Sequence, residues 1–345
     1  MNRQTLTRFR RALTLHRDRL MGWLTREATP AALSRCCLLP EGHPPGGPEA
    51  DVEALTAIDA ALERIEHGTF GQCTRCGGQV EPERLELDFT TCVCLDHYTP
   101  AERRALESDL ELAARVQQHL FPRYLPALPG IEVAAHAHPA RILSGDYYDF
   151  FYAGDRVQGF AIADVMGKGV AAGMLMANLQ SALRILGPEH DGLDGLAGRL
   201  NTLFRYNLKL IRFISICLLT VDTETGLLHY CNAGHNPPLL WRPATATALW
   251  LKPTGPAIGL ASDPPYHAET IQLQGGDVLV LYTDGLAEAR NGSAEDFGEA
   301  ELERFVARHH AEPAGQLLAG LHHAATRFAG GRLHDDVALL VIRRT

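Results

Sequence analysis

Aspartates at the ends of apolar segments are the residues of this sequence whose types and spacing point most directly to chemistry. Asp164 ends the run GFAIAD, and Asp284 follows the run VLVLYT. Asp335 and Asp336 precede the run VALLVI, and Asp146 lies in SGDYYDF, just before a predicted turn. Because aspartate is disfavoured inside strands, its repeated placement at strand ends would collect several carboxylates at one edge of a sheet.

Collected carboxylates indicate a cation site, because like charges held close together cost free energy unless cations neutralise them. Oxygen ligands alone select hard ions, Mg²⁺ or Mn²⁺, over Zn²⁺. Two such ions can lower the pKa of a bound water and bind a phosphoryl oxygen, which points to hydrolysis of a phosphate ester. The alternative, that each aspartate caps a helix or starts a turn, is left open by spacing alone. We favour this alternative for Asp149, Asp222 and Asp296.

A second set of candidate ligands contains sulfur. Cys73 and Cys76 form a C-x2-C pair, and Cys94 and His97 form a C-x2-H pair further along the chain. Two such pairs at this separation are typical of a tetrahedral structural Zn²⁺ site. Cys92 is a possible substitute for Cys94, but a C-x-C pair has poorer geometry, so we favour Cys94. In a reducing compartment this crowding of cysteines favours metal over disulfides.

Apolar, β-branched runs predict buried strands after residue 130, with helical spacing between some of them. Strands at 213–221 and 227–231 follow each other without an intervening helix, which favours an α+β layered domain over a doubly wound one. His235, among turn-forming residues, is interpreted as a turn or packing residue. The other predicted elements are strands at 157–164, 278–282 and 336–342 and a helix at 170–186.

The N-terminal part of the chain carries helical patterns. Helices at 1–26 and 51–67, separated by a Pro/Gly-rich break at 40–48, indicate an antiparallel hairpin. A linker helix at 99–123 follows, and its apolar residues repeat with a period of about 3.5, as in a short coiled coil. Packing onto its own domain and pairing in a homodimer both remain open. The seam consists of Leu106, Leu110, Ala113, Val116 and Leu120.

Bulk composition limits the classes of function. The chain has 345 residues, a formal net charge of −9 and 46% hydrophobic residues, so two folded domains are expected and direct nucleic-acid binding is not. No apolar stretch approaches the roughly 18 residues of a membrane span. The N-terminus also lacks the apolar segment of a secretory signal, so we expect a cytoplasmic protein.

The ordered motifs after residue 110 resemble the SpoIIE/RsbU branch of the PPM (protein phosphatase 2C-like) serine/threonine phosphatases. As a set they are highly specific, although each segment alone would be weak. The matching segments are ARVQQHLFP (114–122), SGDYYDF (144–150), ADVMGKGVAAGMLMA (163–177), NAGHNPPLL (232–240), GPAIGL (255–260), LYTDGLAEARN (281–291) and HDDVALLVIR (334–343).

The resemblance implies a β-sandwich flanked by helices at 124–345, with two Mn²⁺ or Mg²⁺ ions at one edge. Carried over by position, Asp146 and Asp164 belong to the metal centre, and Asp164 bridges the ions. The Val165 carbonyl takes the place of a glycine carbonyl common in the family, and Asp284 and Asp335 complete the shell. Water activated by the metals then attacks phosphorus directly, without a covalent phosphoenzyme.

Residues 51–98 resemble the DksA/TraR family, whose members bind RNA polymerase. The segment LERIEHGTFGQCTRCGGQVEPERLE carries the resemblance, which implies a small zinc module within 1–98. His97 departs from the fourth cysteine usual in that family, and histidine is a competent zinc ligand. The acidic D-x-x-D-x-A tip motif is absent from the 41–50 turn, which argues against action in the polymerase channel.

Three functions are therefore compared. The first is a phosphatase that acts on a phosphorylated partner protein, typically an anti-sigma-factor antagonist in this branch, under control of the zinc module. The second is a DksA/TraR-like transcription regulator with a degenerate phosphatase-like sensor domain. The third is an interaction scaffold without chemistry. The complete aspartate set favours the first, in which the linker helix would transmit a signal by rearrangement of a dimer.

Overall fold

The chain forms two compact units, Met1–Ser108 and Asp109–Thr345. A computed structural model describes residues 6–7, 9–11, 13–14, 17–18, 21, 47–97, 99–140, 142–167, 169–205 and 213–345. Helix α3 crosses the boundary between the units, and each unit has its own buried apolar core.

The N-terminal unit is helical, with a Cys-rich loop. The described residues between positions 6 and 21 are helical, and Phe9 and Leu13 pack with Ile58 and Ala61 of the next helix. This contact fits the predicted pairing of two helices, whose connection lies outside the described residues. The second helix begins at 47, inside the predicted Pro/Gly-rich break. The bounds are α1 Gly47–Glu66, α2 Pro82–Leu87 and a 3-10 turn at Leu95–His97.

Helix α3 spans Pro100–Leu120, close to the predicted linker helix. It begins with a capping box, in which the Thr99 hydroxyl accepts the Glu102 N–H at 3.2 Å and Glu102 accepts the Thr99 N–H at 2.7 Å. Of the predicted seam, Leu106 and Val116 are exposed.

The C-terminal unit contains two five-stranded sheets in which neighbouring strands are antiparallel. The first sheet has the order β1-β10-β9-β6-β7 and the second the order β2-β3-β4-β5-β8. The strands are β1 Ile131–His138, β2 Asp146–Gly154, β3 Val157–Val165, β4 Ile214–Asp222, β5 Leu227–Ala233, β6 Leu239–Arg242, β7 Thr247–Trp250, β8 Glu269–Gln272, β9 Val278–Tyr282 and β10 Val337–Arg344.

Helices cover the outer faces of the sheets. Strand residues alternate between faces, so Phe160 and Ile162 enter the core between the sheets while Ala161 and Ala163 face outward. The outer face of the second sheet packs against α4 and α5, and that of the first against α6, α7 and α8. This arrangement confirms the predicted α+β sandwich. The helices are α4 Val170–Leu186, α5 Leu193–Phe204, α6 Asp284–Ala287, α7 Gly298–His309 and α8 Ala314–Phe328.

Two aspartates differ from their predicted settings. Asp146 is the first residue of strand β2 and does not precede a turn, because Ser144 and Gly145 lead directly into the ladder with β3. Asp149 lies inside the same strand and is neither a cap nor a turn residue. Its carboxylate is buried, and it accepts two hydrogen bonds from Arg184, at 2.8 and 2.9 Å, that satisfy its charge.

Candidate active site

The first two predicted ligands lie opposite each other on neighbouring strands. Asp146 begins β2 and is directly paired in register with Asp164, near the end of β3. Residues paired in this way point their side chains to the same face of a sheet. Asp146 is buried and Asp164 is partly buried. The second sheet therefore contributes two adjacent carboxylates to one edge of the sandwich.

The first sheet contributes the other carboxylates. Asp284 begins α6 immediately after β9, and the register of β9 with β10 pairs Tyr282 with Leu339. This pairing brings the end of β9 alongside Asp335, which precedes β10. Gly285 permits a close approach, because a Cβ at this position would overlap the backbone carbonyl oxygen of Asp336.

Thr283 links the carboxylates of the two sheets. This fully buried residue donates its hydroxyl proton to Asp146 Oδ2 at 2.5 Å. The same hydroxyl accepts the backbone N–H of Ala338, at 2.8 Å, from strand β10. Thr283 therefore fixes the orientation of Asp146 from the opposite sheet. Sequence reasoning missed it, although it directly precedes Asp284.

Asp336 holds the loop that precedes Asp146. Its two carboxylate oxygens accept the backbone N–H groups of Ala140 at 2.7 Å and Gly145 at 2.8 Å. Both oxygens are thus engaged in fixing the loop. Asp335 is the more exposed member of the pair, and its Oδ1 accepts the N–H of Asp336 at 2.9 Å.

Electrostatics confirm that the carboxylates are close enough to repel one another. Burial and the charge of Asp164 raise the pKa of Asp146. Burial, followed by the charges of Asp284 and Asp335, raises the pKa of Asp164 to about 7. A divalent cation would relieve this repulsion, and an all-oxygen donor set suits Mg²⁺ or Mn²⁺. The residues present therefore fit such ions.

The backbone carbonyl of Val165 lies against Gly145. A Cβ at position 145 would stand 2.8 Å from this carbonyl oxygen, and the Val165 N–H donates to the Gly145 carbonyl at 3.3 Å. Glycine is thus needed for the loop before Asp146 to pass close to the end of β3. The predicted carbonyl ligand lies beside the predicted carboxylate ligands.

Gln117 on helix α3 holds the same loop. Its side-chain amide donates to the Ser144 carbonyl at 2.7 Å and accepts the Ser144 N–H at 2.9 Å. Gln117 is 6% exposed in a helix that is otherwise largely accessible, so this contact is a specific anchor. The sequence analysis did not identify Gln117. The signal that could have pointed to it is its position as a polar residue directly after Val116 of the apolar seam.

His235 is a buried packing residue, in agreement with its interpretation. Its Nδ1 lies 2.8 Å from the hydroxyl oxygen of Ser215, the residue paired with Asp164 across β3 and β4. Its backbone N–H donates to Asn232 Oδ1 at 2.8 Å. Burial lowers the pKa of His235 to about 4, so its ring is neutral at pH 7.

The four predicted sulfur and nitrogen ligands come together in the N-terminal unit. Candidate ligand atoms of Cys73, Cys76, Cys94 and His97 all lie within 4.8 Å of one another, and Cys92 is outside this group. The Sγ atoms of Cys76 and Cys94 are 3.7 Å apart. Zinc–sulfur bonds of about 2.3 Å at tetrahedral angles would place two sulfur atoms about 3.8 Å apart.

Polar groups around the cysteine cluster also fit a cation. The Arg75 N–H donates to Cys73 Sγ at 3.4 Å, and the Gly78 N–H donates to Cys76 Sγ at 3.3 Å. Burial raises the pKa of Cys73, but backbone hydrogen bonds outweigh it and lower this pKa to about 6, which favours a thiolate. The Nε2 atom of His97 is buried without a hydrogen-bond partner among the described residues, as expected of a nitrogen positioned for a metal.

The two candidate sites differ in compactness. Across the described part of the chain, the cysteine cluster is the one group of three or more His, Cys, Asp or Glu side chains with all ligand atoms within 4.8 Å. The carboxylates are more widely spread. A wider spread suits two ions about 3.5–4 Å apart that share ligands.

Comparison with known proteins assigns the family. Residues 154–345, more than half of the chain, match the family model described as Stage II sporulation protein E (SpoIIE). The chain belongs to the SpoIIE family. Its 28% identity to the Bacillus subtilis phosphoserine phosphatase RsbU extends over 244 residues, which cover 70% of this chain and 72% of RsbU.

Solved structures support the same SpoIIE assignment. The RsbU and RsbW domains of a Mycobacterium tuberculosis protein are 29% identical, with a TM-score of 0.56, and the match covers 64% of this chain and 61% of that one. The SiaA-PP2C domain of Pseudomonas aeruginosa shares the fold, with 20% identity, a TM-score of 0.63 and coverage of 71% and 99%. The chain is thus a protein serine/threonine phosphatase, with the family match in residues 154–345. Within the described residues, no helix is both long enough and apolar enough to span a bilayer.

Proposed function

We propose that the chain hydrolyses phosphoserine or phosphothreonine on a partner protein in a metal-dependent reaction. The observation that carries this proposal is the convergence of carboxylates from both sheets, with the pKa of Asp164 raised to about 7 by burial and by neighbouring carboxylates. Such a cluster is costly without cations and suited to holding them.

In this proposal the site residues bind the metal ions, and the ions supply the chemistry. Asp146, Asp164, Asp284, Asp335 and the carbonyl of Val165 would hold two Mn²⁺ or Mg²⁺ ions. When bound, such ions supply an activated water and stabilise charge on the phosphoryl oxygens. The carboxylates keep the ions in place and orient the phosphate between them.

Two positioning residues support the ligands. Thr283 donates to Asp146 Oδ2 and so restricts the orientation of this carboxylate. Asp336 binds the loop at Ala140 and Gly145, and this loop carries Asp146. A shift of about 1 Å in such a ligand can cost a large factor in rate, so these contacts matter to turnover.

The N-terminal unit regulates the enzyme in our proposal. Cys73, Cys76, Cys94 and His97 hold one structural Zn²⁺, which stabilises the DksA/TraR-like module. Helix α3 continues from this module to Gln117, which binds the backbone two residues before Asp146. Movement of α3 in a homodimer, through its exposed apolar seam, would change the position of Asp146. The partner class favoured is a phosphorylated anti-sigma-factor antagonist in the cytoplasm.

The test is release of phosphate from a phosphoserine protein by the full chain, with and without Mn²⁺. We expect Mn²⁺-dependent turnover that falls by at least about a hundredfold in Asp284→Ala, since loss of a residue that merely supports a metal ligand already costs about 10–100-fold in affinity or activity. Asp263→Ala is the matched control, because Asp263 is exposed and outside the cluster. Turnover that is indifferent to Mn²⁺ or to Asp284 would contradict the proposal.

The cysteine cluster is the observation that favours a second candidate function. A DksA/TraR-like regulator would bind RNA polymerase through the N-terminal unit and would not hydrolyse phosphoproteins. Direct binding of the purified chain to RNA polymerase, together with absent turnover in Mn²⁺, would favour this second function. Turnover without polymerase binding favours the phosphatase.

A further inference from the structure

Three histidines form a cluster outside the sites described above. His136 and His138 alternate along β1, so both rings lie on the same face of the first sheet. His322 on α8 packs over them. The ring centroid of His322 lies 5.2 Å from that of His136 and 5.8 Å from that of His138. The centroids of His136 and His138 are 6.3 Å apart.

The environment favours the neutral form of His136 and His322 and leaves a nitrogen of His322 available. Burial, followed by the charges of the neighbouring histidines, lowers the pKa of His322, and burial with the charge of His138 lowers that of His136. Neutral imidazole is the form that binds metal ions. The Nε2 atom of His322 is buried with no hydrogen-bond partner among the described residues, which is costly unless a ligand satisfies it.

We propose that His136, His138 and His322 bind one divalent late-transition-metal ion, of which Zn²⁺ is the representative. An all-imidazole donor set suits Zn²⁺, Ni²⁺ or Cu²⁺ and disfavours Mg²⁺ and Mn²⁺, so this site differs in chemistry from the carboxylate cluster. The site draws its ligands from one strand and one helix of the C-terminal unit. It is also distinct from the cysteine cluster in the N-terminal unit.

The spacing of the rings is close to that of a bound site. With metal–nitrogen bonds of about 2.0–2.1 Å, three tetrahedrally placed imidazole centroids lie about 5 Å apart. The observed separations are 5.2–6.3 Å. The nitrogens are more spread than the ligand atoms of the cysteine cluster, so binding of the ion would require the side chains to rotate toward one another. Three histidines leave a fourth position for water or an anion.

An ion bound here would fix helix α8 onto strand β1. Strand β1 ends at His138, two residues before Ala140, whose N–H donates to Asp336. Occupancy would therefore stabilise the segment that leads into the loop of the carboxylate site. The proposal itself does not depend on phosphatase activity.

The test measures zinc bound to the untagged full chain after equilibration with Zn²⁺ and removal of free ion. We expect His138→Ala and His322→Ala to bind one equivalent less than the wild type, and His267→Ala, an exposed histidine elsewhere, to match the wild type. In Co²⁺-loaded protein the two variants should lose the part of the ligand-field absorption that comes from the histidine site, while thiolate-to-cobalt absorption from the cysteine cluster stays unchanged. That spectrum assigns the lost equivalent to nitrogen ligands.

Equal zinc content in the wild type and the three variants would overturn the proposal. A loss of thiolate-to-cobalt absorption without the ligand-field change would overturn it as well, because the lost ion would then belong to the cysteine cluster. Circular dichroism checks that each variant is folded. If His322→Ala does not fold, His138→Ala decides alone, because the His138 side chain is exposed and its truncation leaves the core intact.

Discussion

Replacing Asp164 by asparagine is expected to stabilise the metal-free protein at pH 8, although it removes a proposed ligand. Burial and then the charges of Asp284 and Asp335 raise the pKa of Asp164 from 3.8 to about 7. Between these values the folded state holds a proton that the unfolded state has lost. The free energy of unfolding therefore falls as pH rises from about 4 to about 7, and this loss is complete above pH 7.

The size of the effect follows from the shift. Three pKa units at about 1.4 kcal/mol each correspond to about 4 kcal/mol of destabilisation at pH 8, from burial of the charge and from repulsion by its neighbours. This is an upper limit, because Asp146 shares the same interactions and the Asp164 side chain is only partly buried. Asparagine has nearly the same shape and no charge, so the variant should lose this part of the pH dependence. At pH 4 the two proteins should differ little.

The assay is urea unfolding in EDTA at pH 4 and pH 8, followed by tryptophan fluorescence. Two of the three tryptophans, Trp241 and Trp250, lie in the C-terminal unit and report on it. Saturating Mn²⁺ should reverse the order, since each of two ions at a hundred times its dissociation constant adds about 2.7 kcal/mol to a protein that binds them, together more than the roughly 4 kcal/mol above. Asp263→Asn serves as the uncharged control. A variant less stable than the wild type in EDTA at pH 8 would refute the electrostatic reasoning.

Three further substitutions test the supporting structure. Gly285→Ala should lower the thermal midpoint measured by circular dichroism, because the added methyl overlaps the carbonyl of Asp336 and overpacking costs about 1–3 kcal/mol. Arg184→Met should lower the free energy of urea unfolding by about 3 kcal/mol at pH 7, because it leaves the buried Asp149 carboxylate unpaired. Cys76→Ser should reduce the zinc content measured by mass spectrometry by one equivalent, because three ligands remain.

Matched variants separate these effects from general damage. Gly195→Ala adds a methyl where nothing lies within 4 Å, and should leave the thermal midpoint unchanged or higher. Arg199→Met removes an exposed ion pair with Glu189 and should change stability by less than about 1 kcal/mol. Cys92→Ser should retain all zinc. If a test variant and its control change stability or zinc content equally, the structural reason given for that test variant is contradicted.

Sequence patterns predicted the helices and strands that have a regular pattern of buried apolar residues. Helix 170–186 and strand 278–282 have the predicted bounds, because one buries a single face at helical spacing and the other is buried throughout. Strand β1 was not predicted, and its half-buried residues lack a long apolar run. Short strands such as β7, at 247–250, gave too little pattern to be predicted.

Candidate site residues that belong to a sequence motif could be identified in advance. Residues whose role depends on tertiary contacts could not. The aspartates were identified by strand ends and by family resemblance, and the structure brings those of both sheets to one edge. Thr283 and Gln117 are ordinary polar residues in sequence, and their roles arise from contacts with Asp146 and Ser144 that only the tertiary fold creates. The ion-pair partner of the buried Asp149 could not be predicted either, because Arg184 lies 35 residues away in sequence.

The division of the carboxylates between two sheets has a mechanical consequence. Asp146 and Asp164 belong to one sheet, and Asp284 and Asp335 flank strands of the other. An ion held by both pairs is a non-covalent cross-link across the sandwich, and Thr283 is the protein's own link at the same place. Filling the site would therefore slow amide hydrogen exchange in β3 and β10 together, so that the reaction centre and the seam between the sheets open as one unit.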